Sequence, residues 1–218
     1  MRPTLLLDLD GTLVDSAPDL TAALNRLMEA RDLAPFTVAE TTTMVGDGVG
    51  RLIERAFASR GRPMEAATVS VYTADYAANS VVATRLYPGV ATTLEALRAG
   101  SWRLAVCTNK LEGLARGLLE ALGIGGFFAA IGGGDSFPAR KPDPAHLLAT
   151  LRAAGGEPGR AVMAGDHRND VLGAHGAGMA CVFAAWGYGT EEMGAEADAV
   201  AARFTDLPAI LDRLMGRD

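Results

Sequence analysis

Lysine is nearly absent from this 218-residue chain: Lys110 and Lys141 are the only two, and arginine supplies the rest of its 20 basic side chains. Against 26 acidic residues the formal net charge is −6, with no basic run or stripe. That balance excludes nucleic acid and anionic membrane surfaces as general partners, because both require a concentrated positive face. A small anionic substrate would still need local positive charge, which makes the two lysines worth following. Cysteine is equally scarce. Cys107 in "RLAVCTN" and Cys181 in "MACVFAAW" both sit in apolar runs, where a reduced thiol behaves as a small hydrophobe. Two buried core thiols of a cytoplasmic protein are therefore expected, rather than a disulfide or a metal pair. The opening residues carry one arginine and an apolar run cut by Asp8, which fits no secretory signal. The longest uncharged stretch, 171–190, contains five glycines, His175 and Tyr188, and reads as loop and strand rather than a membrane span.

Short apolar runs are present at 4–9, 103–107, 128–132, 161–164 and 180–184, with helical-period segments between them. This alternation predicts an α/β fold with a parallel, Rossmann-like sheet covered by helices on both faces. In such sheets ligands gather beyond the carboxyl ends of the strands, and Asp8, Asp10, Thr108 and Asp166 each fall at such an end. One interval breaks the rhythm: residues 15–85 read as helices only. Ser16 with Asp19 resembles a capping box, followed by Leu20, Ala23, Leu24, Leu27 and Met28 at helical spacing. A second helix gathers Val49, Leu52, Ile53, Ala56 and Phe57 on one face, and a third is expected over about 65–84. The expected organisation is a catalytic core, 1–14 and 86–218, with an all-helical cap, 15–85, hinged near Asp15 and near "LYPGV" at 86–90.

On a regular strand Asp8 and Asp10 would share a face, and Gly11 indicates that the chain has begun to turn. Two carboxylates this close need a cation or a division of labour. Mg²⁺ suits them, since it takes one or two protein carboxylates and leaves room for water and phosphate. "VMAGDHRNDVLGA" offers Asp166 for direct ligation and Asp170 to brace it or a metal-bound water from behind. "AVCTNK" supplies the Thr108 hydroxyl and nearby amides, and "RKPDP" supplies Lys141, with Asp143 as N-cap and Pro144 as first residue of the next helix. Each residue alone has an ordinary explanation. Together, four strand ends bring what one phosphoryl-transfer site requires.

The motifs "DLDGTL" at 8–13, "CTN" with Thr108, Lys141 before "PDP", and "GDHRND" with Asp166 and Asp170 resemble the haloacid dehalogenase-like hydrolase superfamily. The resemblance implies that Asp8 is a nucleophile forming an aspartyl-phosphate and that Asp10 is general acid and then base. It also implies Mg²⁺ held by Asp8, the Asp10 backbone carbonyl and Asp166, with Thr108, Asn109 and Lys141 on the phosphoryl oxygens. The physics agrees: a carboxylate is already ionised at neutral pH, while Mg²⁺ and Lys141 offset its repulsion from phosphate.

The dehalogenases of the superfamily lack the second aspartate, present here as Asp10, and its phosphonate-cleaving members use a cap lysine, whereas 15–85 contains none. "TTTMVGDGVGRLIERA" resembles the cap segment of phosphoglycolate phosphatases. Gly46-Asp47-Gly48 could present amides to an anion and Arg51 could pair with a carboxylate; a plain interhelical turn with a solvated Arg51 fits the same residues. His167 stands where many relatives carry serine and reads as a loop residue, while His146 and His175 read as ordinary helix residues. The expected activity is hydrolysis of 2-phosphoglycolate or another small phosphorylated metabolite by a monomer or homodimer. The alternatives are a sugar-phosphate phosphatase or mutase. A signalling receiver is disfavoured by length and by the nucleophile on the first strand, and an inactive binding protein by the full catalytic set.

Overall fold

The computed structural model describes residues 2–216. In chain order its strands are β1 (Thr4–Leu7), β2 (Val14–Asp15), β3 (Arg85–Leu86), β4 (Arg103–Cys107), β5 (Phe128–Gly132), β6 (Ala161–Gly165), β7 (Ala180–Ala184) and β8 (Ala199–Ala201). The α-helices are α1 (Ala17–Glu29), α2 (Val38–Thr42), α3 (Val49–Ser59), α4 (Thr68–Asn79), α5 (Val90–Ala99), α6 (Glu112–Ala121), α7 (Pro144–Ala153), α8 (Arg168–Gly176) and α9 (Leu207–Leu214).

Six strands form one parallel sheet in the order β5-β4-β1-β6-β7-β8. The apolar run after Pro3 takes a central position, with Leu5 beside both Leu104 and Val162. Alternation splits that run between two cores. Leu5 and Leu7 enter a cluster with Leu94, Val106, Leu118 and Leu211, while Leu6 enters the opposite one with Cys107, Leu147, Met163 and Cys181. Burial of each such leucine contributes about 1.5–3 kcal/mol. Both cysteines are free and buried, as expected.

β1 stops at Leu7, short of the predicted residue 9, because the chain coils on itself: the N–H groups of Thr12, Leu13 and Val14 all donate to the Leu9 carbonyl. The helices that follow have a buried cluster of their own, built from Leu24, Met28, Ile53, Phe57, Tyr72 and Tyr76 among others. Tyr72 and Tyr76 stack with ring centroids 6.1 Å apart. The segment is not purely helical, since β2 and β3 pair antiparallel where the chain leaves and re-enters the core.

Ser16 and Asp19 do not form the predicted capping box. Ser16 makes no side-chain cap bond. Asp19 instead accepts from the Thr84 N–H at 2.8 Å and the Thr84 hydroxyl at 2.7 Å, which fixes the returning chain. That extended return also explains why the third predicted helix ends at Asn79 rather than near 84.

Candidate active site

The coil after β1 places Asp8 and Asp10 at the carboxyl edge of the sheet. Asp8 is buried, and its Oδ1 accepts the Leu9 N–H at 2.7 Å and faces Lys141 Nζ at 2.9 Å. Gly11 sits at φ +81°, and a side chain there would overlap the Asp166 carboxylate, so only glycine permits this approach. Asp166, at the end of β6, accepts from the Thr12 hydroxyl and the Tyr188 N–H, both at 2.8 Å.

Asp8, Asp166 and Asp170 are all buried, with one carboxylate oxygen of each within 4.8 Å of the others. Lys141 Nζ reaches Asp170 at 2.6 Å as well as Asp8. One ammonium thus pairs with two of the three carboxylates, and the imbalance appears in the titration of Asp166 and Asp8. Burial, then the charges of Asp8 and Asp170, pushes Asp166 up to about 7. Burial also raises Asp8, with Lys141 opposing it. For Lys141 burial works against the charge, but Asp170 and Asp8 outweigh it and hold the pKa above the ordinary lysine value. Three hard oxygen donors with a negative surplus fit a divalent cation such as Mg²⁺.

The α7 cap fixes the loop carrying Lys141, with Asp143 accepting the Ala145 N–H at 2.9 Å as predicted. Thr108 is buried at the end of β4, its hydroxyl accepting the Lys110 N–H at 3.2 Å. Asn109 lines the same cleft, and its Nδ2 donates to the Gly46 and Lys141 carbonyls, each at 2.9 Å, tying these two loops together.

Asp10 accepts the Ser16 hydroxyl at 2.5 Å and two bonds from Lys110 Nζ at 2.9 and 3.0 Å. Lys110 also donates to the Tyr76 hydroxyl at 2.9 Å. Burial disfavours the Lys110 charge, but Asp10 and Tyr76 more than compensate and raise its pKa. Lys110, Tyr76, Thr12, Ser16 and Tyr188 were not among the predicted site residues. The one signal in the sequence was the rarity of lysine; Thr12, Tyr76 and Tyr188 depend on segments far apart in the chain, and Ser16 reaches Asp10 only across the coil after β1.

A cleft opens over Asp8, Asp10, Thr108 and Lys110. Its opposite wall is apolar: Leu20, Val45, Val49, Leu52, Tyr72 and Leu114. Gly46 and Gly48 line it too, and the turn they belong to is docked on the core. There Asn169 Nδ2 donates to Asp47 at 2.7 Å, and Gly46, at φ +117°, lies so close to the His167 ring that a side chain would overlap it. His167 caps α8, accepting the Asn169 N–H. Arg51 is elsewhere. Its side chain is 58% exposed and pairs with Glu54 at 2.6 Å, and it is not among the residues lining the cleft. The α3 face that buries Leu52 and Ile53 turns Arg51 to solvent.

Residues 3–178 match the family profile of the haloacid dehalogenase-like hydrolases. The phosphoglycolate phosphatase of Agrobacterium fabrum is 41% identical, covering 100% of this chain and 96% of that one. The phosphoglycolate phosphatase of Caulobacter vibrioides is 42% identical, over 94% and 89%. The crystal structure of a predicted phosphoglycolate phosphatase from Haemophilus somnus 129pt superposes with a TM-score of 0.89 at 32% identity, over 96% and 97% of the two chains. With the profile spanning every motif from Asp8 to Asp170, the chain belongs to the haloacid dehalogenase-like hydrolases.

Proposed function

We propose that this chain is a Mg²⁺-dependent phosphomonoester hydrolase acting on 2-phosphoglycolate to give glycolate and phosphate. The observation that carries the reading is the convergence of Asp8, Asp10, Thr108 and Lys110 on the floor of one cleft, with Lys141 and Asp166 packed around Asp8. The relatives named above support the substrate. So does the cleft wall, because Leu20, Val45, Val49 and Leu52 offer no partners to the hydroxyls of a sugar phosphate.

Both Asp8 contacts, from Lys141 and from the Leu9 N–H, fall on Oδ1, which leaves Oδ2 to attack phosphorus. As that P–O bond forms, the bond to the leaving alkoxide breaks and Asp10 gives the alkoxide a proton. Asp10 then takes a proton from the water that attacks the aspartyl-phosphate, and the bond to Asp8 breaks to release phosphate. Lys141 and Thr108 hold the phosphoryl oxygens while Asn109 keeps the Lys141 loop in place. Asp8, Asp166 and the Asp10 carbonyl would hold Mg²⁺, with Asp170 bracing the site through Lys141. The bound ion supplies charge neutralisation on the transferring phosphoryl group. Residues 15–85 act as a cap that closes the cleft from water.

The test is phosphate release with and without Mg²⁺ across 2-phosphoglycolate, hexose phosphates and nucleotides, with Asp8→Asn as the blank. A Mg²⁺-dependent preference for 2-phosphoglycolate that the blank lacks is expected. Dominance of another ester overturns the substrate, and no release above the blank overturns the hydrolase.

A further inference from the structure

With Arg51 facing solvent, the leaving group's carboxylate needs another cation, and the cleft supplies one. Lys110 is the single lysine or arginine among the described residues lining it. The wall opposite is largely apolar, so a carboxylate set against Leu20, Val45, Val49 or Leu52 would lose its water with no cation in return.

We propose that Lys110 is the specificity-determining residue for an acidic leaving group, its ammonium taking the substrate carboxylate with the Tyr76 hydroxyl as second donor. The inference rests on the 2-phosphoglycolate reading and names the side chain that enforces it.

Position carries the argument. Asp10 is the group that protonates the departing ester oxygen, and both its carboxylate oxygens lie 2.9–3.0 Å from Lys110 Nζ. The cation therefore stands beside that oxygen, where an acid one methylene beyond it must fall. The ammonium is also fixed in place: its side chain is 5% exposed, lies 4.5 Å from the Tyr76 ring centroid, and its carbonyl accepts the Gly134 N–H at 2.8 Å. Tyr76, from α4, accepts one Lys110 N–H and keeps its own proton for a second partner. On binding, the substrate carboxylate replaces Asp10 as a counter-ion of Lys110, one charge-assisted contact exchanged for another.

The test compares 2-phosphoglycolate with ethyl phosphate, its uncharged-tail counterpart, in the wild type, Lys110→Met, Lys110→Arg and Tyr76→Phe. Lys110→Met is expected to slow both esters but to lower the ratio of their kcat/KM values by about 10- to 100-fold, mainly through KM. Lys110→Arg should restore part of that ratio and Tyr76→Phe should lower it a few-fold. Calorimetry on the Asp8→Asn background reads recognition apart from proton transfer by Asp10: adding Lys110→Met should weaken 2-phosphoglycolate and spare ethyl phosphate. Equal losses for both esters overturn the proposal and leave Lys110 as a positioning residue for Asp10. Should Lys110→Met fail to fold, an unchanged ratio in both Lys110→Arg and Tyr76→Phe overturns it equally. A wild type that does not prefer 2-phosphoglycolate overturns the substrate reading first, and a wild-type preference that survives Lys110→Met overturns this inference alone.

Discussion

Lys141 stands 2.9 Å from Asp8 and is itself almost fully buried, so the proposed nucleophile and its cation form one buried pair. Replacing Lys141 by methionine would leave Asp8 and Asp170 without their ammonium. A loss of about 3–5 kcal/mol is expected, as for other broken buried pairs. Urea unfolding measures it, and Mg²⁺ should restore part of the loss by supplying the missing charge. A variant as stable as the wild type in chelator would mean that Lys141 does not hold these carboxylates.

Asp8→Asn should abolish turnover, with kcat falling by on the order of 10⁴ or more, as expected for a lost nucleophile. Asp10→Asn keeps the nucleophile and should cost about 10²–10⁴, the range of a lost acid–base group. Trapping phosphoenzyme in acid separates the two: none from Asp8→Asn, some from Asp10→Asn.

Asp166 is pushed up to about 7 in the folded chain, against about 3.9 when unfolded. The folded state holds this proton more tightly, so its contribution is full below about pH 4 and is lost as pH rises through 7. In chelator, thermal stability should therefore decline between pH 5 and pH 8, and Asp166→Asn should flatten the decline. Mg²⁺ should stabilise the wild type most at pH 8, where Asp166 is ionised. Thermal melts across this range, with chelator and with Mg²⁺, provide the check.

Arg51→Ala should change kcat/KM by less than about twofold, the exposed Glu54 pair being worth little. Gly46→Ala should do much more, because φ is +117° and the new methyl meets the His167 ring. A raised KM with a modest change in melting temperature is expected. Steady-state kinetics on both variants distinguishes a docked turn from a passive one.

The five longer core strands were legible because each is an unbroken apolar run, which helices on both faces demand. β2, β3 and β8 were not, since two or three residues carry no period and only their neighbours make them strands. Ser16 and Asp19 had cap spacing, but Thr84, 65 residues on, offered Asp19 three-dimensional partners that local spacing does not reveal. Arg51 could have been placed from the sequence: it adjoins Leu52 on a helix whose inner face was already identified. Lys110 could not, because its partners Asp10 and Tyr76 are 100 and 34 residues away.

The central position of β1 has a consequence for synthesis. The strand that delivers Asp8 is synthesised before both of its neighbours, which end at Cys107 and Gly165. "TLLL" must therefore wait with both edges open until Cys107 has been translated and with one edge open until Gly165, while the contiguous helices between Ala17 and Asn79 meet their partners early. Asp8, made ahead of both neighbouring strands, is thus enclosed only once Gly165 has been made, and an open apolar strand in the meantime is where premature association would begin.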